Sequence, residues 1–269
     1  MGKLPTTILG RTGLEVTRLG IGGAYCETPE GYRTALDYGL TYLDTAHAYR
    51  DGDDERVVGE AIAGRRHQIV LATKSGARDA AGARKELEAS LRLLDTDYVD
   101  IWQMHYVNKA EELESILGPG GAMEAAVKAQ EQGLIRFIGI TGHHWPAVAD
   151  AVATGLFDTV LCWYNCAMPE PESSVFPAAA AHGTGVIIMN STRIDKLLDD
   201  DQVPPLAGFY RYVLSHPTVH VVLRGLRSPI DRVQQVAQAL RERVDMTLDE
   251  RKHYEAYGAR MRAAGKLED

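Results

Sequence analysis

The chain of 269 residues has few cysteines, no long apolar run and no excess of positive charge, and each absence excludes a class of protein. Its three cysteines, Cys26, Cys162 and Cys166, are an odd number without a CxxC pair, so the sequence predicts neither a disulfide framework nor a zinc site. The formal net charge of −8 argues against a broad surface for nucleic acid or anionic lipid, which needs a basic face.

Targeting and linker segments are also missing. No window approaches the roughly 18 apolar residues of a membrane span, and the first residues lack an apolar stretch of signal-peptide length. The simplest interpretation is a cytoplasmic protein that contacts no membrane. We find no Pro/Gly/Ser-rich linker or block of like charge, and 45% of the residues are hydrophobic. Because α/β barrels of about 250 residues form single units, we expect residues 1–269 to form one domain.

Short apolar, β-branched runs recur along the chain, and each is followed by apolar residues at helical spacing. The eight runs are 16–21, 42–46, 69–74, 99–105, 136–141, 159–164, 186–190 and 220–223. Strands that are apolar on both faces are typical of a parallel sheet. Eight such units close naturally into an α/β fold of the (β/α)8 TIM-barrel type, whereas an open doubly wound sheet has about five to seven strands and a GxGxxG motif, which LGIGGAYCE lacks.

Two further elements are predicted outside the eight repeats. Residues 6–19, TTILGRTGLEVTRL, are typical of a β-hairpin that turns at 11–13 and closes the barrel floor. Residues 247–264 open with a Thr-Leu-Asp-Glu start signal and predict an extra C-terminal helix. Among the intervening helices, 81–94 and 228–244 have the clearest helical spacing.

Four polar residues lie at or just past the ends of the second, third and fourth predicted strands. They are Asp44, Tyr49, Lys74 and His105. In a barrel the carboxyl ends of the strands share one rim, so we expect these side chains to converge there. A phenol is a poor acid at neutral pH unless a nearby cation lowers its pKa, and a lysine beside Tyr49 would do so. The group predicts a proton-transfer site and therefore an enzyme.

Three stretches of the chain resemble the aldo-keto reductases. They are YLDTAHAYRDGDDERVVGEAI (42–62), IVLATKSG (69–76) and LEASLRLLDTDYVDIWQMH (87–105). The resemblance implies an oxidoreductase that reduces an aldehyde or ketone, or oxidises the matching alcohol, with NADP. It implies that Tyr49 is the general acid, that Lys74 lowers its pKa, that Asp44 pairs with Lys74 and that His105 orients the carbonyl oxygen.

The resemblance also places a nicotinamide cofactor on the second half of the chain. Thr141 and Gly142 stand where the family usually has a Ser-Asn pair, Leu161 where it has a glutamine, and Met189 where it often has an aromatic residue. The segment VVLRGLRSPIDRVQQ is similar to the family's phosphate-binding turn, and its arginines favour NADP over NAD. The predicted cofactor-binding residues are Gly23, Thr141, Met189, Asn190, Arg224, Gly225, Arg227, Arg232 and Gln235.

The expected partner is a small-molecule carbonyl or alcohol in an open pocket, for which Tyr25, Tyr106, His143 and Trp163 are the candidate residues. No metal is expected, because the adjacent His143 and His144 have no further ligand at metal-binding spacing. Two alternatives stay open. The same site could catalyse a redox-neutral elimination, isomerisation or epimerisation, or the barrel could be a cofactor-sensing regulatory protein. The protein is expected to be a monomer or a small homo-oligomer.

Overall fold

The computed structural model describes residues 2–226 and 231–267, and its strands form a closed parallel barrel preceded by a short antiparallel hairpin. The hairpin consists of β1 (Thr6–Ile8) and β2 (Glu15–Thr17). The barrel strands are β3 (Leu19–Gly22), β4 (Tyr42–Asp44), β5 (Val70–Ser75), β6 (Val99–Met104), β7 (Ile135–Gly142), β8 (Thr159–Trp163), β9 (Gly185–Met189) and β10 (Val219–Gly225). They pair in sequence order, and β10 closes on β3.

Helices follow the strands and cover the outside of the barrel. They are α1 (Pro29–Asp37), α2 (Asp53–Ile62), α3 (Ala80–Leu93), α4 (Ala110–Leu117), α5 (Ala122–Glu131), α6 (Trp145–Ala153), α7 (Val175–His182), α8 (Leu206–Leu214), α9 (Asp231–Glu242) and α10 (Leu248–Ala263). The predicted (β/α)8 barrel with an N-terminal hairpin and an extra C-terminal helix is confirmed. Among the described residues, no helix is both long and apolar enough to cross a membrane.

The first predicted strand is wrong in one respect, because residues 16–21 do not form one strand. The chain turns at Arg18, between β2 and β3. The Arg18 backbone N–H donates to the Pro5 carbonyl at 2.9 Å, and its guanidinium donates to the carbonyls of Leu214 and Val219, each at 2.9 Å. These long-range contacts turn a continuous β-branched run into a corner. In the predicted helix 228–244, positions 228–230 lie outside the described residues.

Burial explains why these strands are apolar on both faces. Every residue of β5 and β6 is buried. One apolar cluster fills the barrel interior and includes Tyr42, Ile101 and Val221, while a larger one lies between strands and helices. The three cysteines are free and buried. Polar or charged side chains buried among these apolar residues therefore indicate where a functional site lies.

The hairpin closes the amino-terminal end of the barrel. Leu9 is fully buried there, inside the barrel cluster. Gly10 has φ of 50° and lies so close to β9 that a Cβ on it would be 2.4 Å from the Gly185 nitrogen. Arg11 Nε forms an ion pair with Asp158 at 2.9 Å, and Nη2 donates to the Gly155 carbonyl at 3.0 Å. With this end closed, the carboxyl ends of the strands form the accessible face.

Truncation of Leu9 should destabilise the protein through a cavity in the barrel floor. We expect Leu9→Ala to lower the free energy of unfolding by about 2 to 5 kcal/mol, measured by urea denaturation. Ile8→Ala is the control, because Ile8 is 52% exposed, and it should cost less than about 0.5 kcal/mol. Equal losses for the two variants would contradict the role of Leu9 as a buried plug.

Candidate active site

Lys74 is a charged side chain buried at the carboxyl end of the barrel, and it makes three polar contacts. Its Nζ donates to Asp44 Oδ1 at 2.5 Å, to the Thr45 carbonyl at 2.6 Å and to the Tyr49 hydroxyl at 3.2 Å. Burial acts to lower the pKa of Lys74, but Asp44 and Tyr49 outweigh it, so that its pKa is raised. Lys74 is therefore a fixed cation held between a carboxylate and a phenol.

Gln103 completes the binding of Asp44 and was not singled out in the sequence. Its Nε2 donates to Asp44 Oδ2 at 2.8 Å, and it pairs with Lys74 in the register of β5 and β6. Side chains two residues apart on a strand point to the same face, so the spacing of Gln103 from His105 was an available signal. Because both oxygens of Asp44 are hydrogen-bonded, its carboxylate has a fixed orientation.

Tyr49 lies in the segment after β4, beside Lys74 and His105. Its ring centroid is 4.6 Å from Lys74 Nζ and 5.7 Å from the His105 ring centroid. Burial raises the pKa of Tyr49, Lys74 lowers it, and the net pKa is above the ordinary value. Lys74 thus acts in the direction expected from the sequence, but burial is the larger effect. Tyr49 therefore keeps its proton at neutral pH, and the net lowering of its pKa expected from the sequence is not found.

His105 immediately follows β6, and its backbone N–H donates to the Ser75 carbonyl at 2.8 Å. Burial, with the nearby positive charge of Lys74, lowers the pKa of the imidazole to about 3. His105 is therefore neutral at physiological pH, and a neutral imidazole has one N–H that can donate a hydrogen bond.

A cavity of about 350 Å³ opens above these groups. Its lining includes most of the residues predicted for the site, namely Gly23, Tyr25, Asp44, Tyr49, His105, Tyr106, His143, Trp163, Met189, Asn190 and Gly225. Lys74 is not part of the lining and lies beneath it. The structure thus brings residues from seven different strand ends to one cavity.

Aromatic rings form one wall of this cavity. The His143 ring stacks on Trp163 with centroids 4.3 Å apart, and Tyr106 meets His143 edge-on at 4.6 Å. The Arg193 guanidinium lies 4.5 Å from the Trp163 ring centroid. Trp145 Nε1 donates to the Trp163 carbonyl at 2.9 Å and fixes the strand end beneath the stack. Arg193 was not predicted from the sequence.

A second cavity of about 50 Å³ adjoins the first and shares Tyr25, Asn190 and Gly225 with it. Arg224 lines this cavity and is buried. Asp195, which the sequence did not single out, accepts from Arg224 Nη1 at 2.8 Å and from Arg232 Nη1 at 2.9 Å. Burial acts to raise the pKa of Asp195, but the arginines lower it below its usual value. Both arginines thus share one carboxylate.

Three of the described residues predicted to bind the cofactor, Thr141, Arg232 and Gln235, line neither cavity. Thr141 is buried, and its Oγ1 accepts from the Tyr106 backbone N–H at 3.0 Å. Gln235 is exposed on α9 and lines neither cavity. Arg227 lies outside the described residues. At Gly142 a Cβ would be 2.3 Å from the Val107 carbonyl oxygen, so the backbone has no room for a side chain there.

No group of three or more His, Cys, Asp or Glu side chains that could hold a metal ion occurs among residues 2–226 and 231–267. The fold and the site together define a (β/α)8 barrel with a buried cluster of Asp44, Lys74 and Tyr49 at the carboxyl ends of its strands.

Comparison with known proteins identifies the family. Residues 25–193 match the model of the aldo/keto reductase family, and the chain belongs to that family. It is 34% identical to aldo-keto reductase YhdN of Bacillus subtilis over 64% of this chain and 57% of that protein. It is 38% identical to methylglyoxal reductase YeaE of Escherichia coli over 40% of this chain and 37% of that protein. The chain therefore matches less than two thirds of the length of either relative.

A solved structure gives a fuller match. The holo form of aldo-keto reductase AKR11C1 from Bacillus halodurans superposes with a TM-score of 0.80 at 26% identity, and 96% of each chain is covered. The resemblance seen in the three sequence stretches is thus confirmed by family, relatives and fold.

Removal of the Lys74 charge should destabilise the protein by stranding Asp44. Asp44 is 2% exposed, and a buried carboxylate without its cation costs about 3 to 5 kcal/mol. We expect Lys74→Met to lose about that much free energy of unfolding in urea. Tyr49→Phe, which removes one hydrogen bond to the same ammonium, should lose about 1 kcal/mol. An unfolding midpoint of Lys74→Met equal to that of the unmodified chain would show that the ion pair is absent.

Proposed function

We propose that this protein is an NADP-dependent oxidoreductase that reduces a small-molecule aldehyde or ketone to an alcohol, or catalyses the reverse reaction. The observation that carries the proposal is the contact of one buried ammonium, Lys74, with both Asp44 and the Tyr49 hydroxyl. His105 adjoins them in a cavity large enough for a small molecule. These are the groups that move a proton to or from an oxygen atom.

The residues around the two cavities fit a nicotinamide dinucleotide phosphate. Arg224 Nε is buried and has no hydrogen-bond acceptor in the part of the chain that the structure describes, so a donor is available for an anionic group. A guanidinium suits phosphate in charge and geometry. At Gly225 a Cβ would be 2.8 Å from the Tyr25 ring, so the strand end passes close beside it. When bound, NADPH supplies the hydride.

Tyr49 is the proton donor in this proposal. It retains its proton at neutral pH because burial raises its pKa, and its hydroxyl faces the cavity residues. As the proton leaves, the Lys74 ammonium 3.2 Å away stabilises the developing phenolate. Asp44 and Gln103 hold the ammonium in place, so this stabilisation needs no rearrangement at the moment of transfer.

His105 binds the carbonyl oxygen rather than transferring a proton. Its pKa of about 3 keeps it neutral, and its N–H donates to the oxygen without giving up its proton. The wall formed by Tyr106, His143 and Trp163 covers the other side of the cavity with rings.

The redox-neutral alternative draws its support from two positions. Leu161 lines the cavity with an apolar side chain, and Gly142 offers none, so neither position provides a side-chain amide or hydroxyl to a nicotinamide carboxamide. Stoichiometry separates the two reactions. One NADPH oxidised for each carbonyl reduced supports the proposed reductase, whereas turnover without NADPH consumption supports the alternative.

Tyr49→Phe should abolish the reaction and spare cofactor binding. We expect kcat for NADPH oxidation with a panel of carbonyls to fall at least about a hundredfold, because the proton donor is gone. The NADPH dissociation constant, measured by quenching of tryptophan fluorescence and compared with that for NADH, should change less than about threefold.

The matched control is Tyr98→Phe. Tyr98 precedes β6 at the opposite end of the barrel, so it should keep full activity. Unchanged kcat in Tyr49→Phe would sink the assignment of Tyr49 as the acid. If the unmodified protein binds neither nucleotide while correctly folded, the proposed function itself is wrong.

The rate of carbonyl reduction should not depend on pH over the neutral range. Tyr49 has a raised pKa and stays protonated, and His105, with a pKa of about 3, stays neutral. We therefore expect kcat for reduction to be flat from about pH 5 to about pH 8, and alcohol oxidation, which needs the phenolate, to rise with pH. A reduction profile that falls through a midpoint near pH 6 or 7 would contradict these ionisation states.

A further inference from the structure

The loop that carries Tyr49 runs through three successive residues in the left-handed region. Arg50 has φ of 51°, Asp51 55° and Gly52 88°. A residue other than glycine costs about 1 kcal/mol or more in this conformation, so neighbouring contacts must hold Arg50 and Asp51 there. The position of the Tyr49 hydroxyl therefore depends on what holds the loop.

Asp54, in the first turn of α2, is a buried carboxylate beside this loop. Its carboxylate accepts from the Tyr32 hydroxyl at 2.8 Å and from Thr45 Oγ1 at 2.6 Å, one donor on each oxygen. Arg50 Nη2 forms an ion pair with Asp54 Oδ1 at 3.7 Å. Asp54 is 0% exposed, and burial of a carboxylate is tolerated only with such partners. Through the Asp54 carboxylate, the loop is thus connected to α1 and to the segment after β4.

The Asp54 carboxylate is linked to both partners of the Tyr49–Lys74 contact. Thr45 donates its hydroxyl to Asp54, and its backbone carbonyl accepts from Lys74 Nζ at 2.6 Å. Arg50 pairs with Asp54 and directly follows Tyr49 in the chain. A movement of Asp54 would therefore disturb the ammonium on one side and the phenol on the other.

The space around Asp54 is filled on the side of the first barrel strand. A Cβ on Gly23 would lie 2.5 Å from Asp54 Oδ2 and 2.9 Å from the Asp44 carbonyl oxygen. The loop after β3 thus packs its backbone directly against the carboxylate. Asp54 itself is absent from the residues that line the cavity.

We propose that Asp54, together with Arg50, is a positioning residue that holds the Tyr49 hydroxyl against the Lys74 ammonium. The inference rests on the proposed function only in taking Tyr49 as the acid. The competing explanation is that Asp54 merely stabilises the amino-terminal end of α2, where negative charge is favourable. Asp53 shares that first turn, and its side chain is 45% exposed. It also forms an ion pair with Arg50 Nη2 at 3.4 Å, so Asp53→Asn is a control both for charge at the helix end and for this exposed ion pair, which contributes little.

The test compares Asp54→Asn with Asp53→Asn in the full chain. Asparagine keeps the shape of Asp54 but removes its charge and one of its two acceptor oxygens. We expect Asp54→Asn to lower kcat about 10- to 100-fold, the effect of a small misplacement of a reacting group, with the carbonyl KM and the NADPH dissociation constant within about threefold. Asp53→Asn should retain the kcat of the unmodified chain.

Fluorine NMR of fluorotyrosine-labelled protein gives a readout that does not depend on turnover. The Tyr49 resonance is identified by its loss in Tyr49→Phe. It should shift in Asp54→Asn and stay in place in Asp53→Asn. If the unmodified chain shows no turnover, the proposed function fails, while the resonance still tests the position of Tyr49.

Two results would overturn the inference. One is an Asp54→Asn variant that melts at a lower temperature yet keeps kcat and the Tyr49 resonance unchanged. The other is an unchanged kcat in Arg50→Gln, which is the variant to test if Asp54→Asn does not fold. Arg50→Gln then takes its place, because the Arg50 side chain is 23% exposed and tolerates change. We expect Arg50→Gln to lose kcat and Arg50→Lys to recover part of it, and unchanged kcat in Arg50→Gln would overturn the proposal.

Discussion

The buried ammonium of Lys74 is the interaction on which the site depends. A cation with almost no exposure to water is stable only because Asp44, the Thr45 carbonyl and Tyr49 accept hydrogen bonds from it. The need to pair buried polar atoms extends to the neighbouring side chains. Asp44 uses one oxygen for Lys74, and Gln103 donates a hydrogen bond to the other. The fold buries the Lys74 ammonium and must compensate its charge whether or not Tyr49 reacts. The chemistry attributed to Tyr49 thus depends on an interaction that the folded chain already requires.

The barrel separates this centre from the elements that close it. Leu9 and Arg11 seal the amino-terminal end through contacts with β9 and the segments beside it, while all the reactive groups lie at the opposite rim. Strands β5 and β6 connect the two ends and are buried along their whole length. Their register is what places Lys74 beside Gln103. A rigid scaffold of this kind can keep donor and acceptor groups aligned without flexible loops.

The sequence predicts the barrel and the convergence of Asp44, Tyr49, Lys74 and His105 at the carboxyl ends of its strands, because both follow from local signals. Apolar runs mark the buried strands, and Asp44, Lys74 and His105 are the polar residues that interrupt or end them. Other features depend on contacts that local signals do not contain. The corner at Arg18 is set by carbonyls about 200 residues away. The net pKa of Tyr49 depends on burial, which spacing alone cannot supply. Asp195 lies in a left-handed turn of Arg193, Ile194 and Asp195, which no propensity favours.

The single carboxylate of Asp195 pairs with both Arg224 and Arg232 and so compensates only one of their two positive charges. An anion that reaches these arginines meets the one positive charge that Asp195 leaves uncompensated, and it competes with Asp195 for the other. Binding there is an exchange of partners, and its net free energy is the difference between two ion pairs rather than the strength of one. Under the proposed function, a divalent phosphate would have an advantage over a monovalent carboxylate in such an exchange.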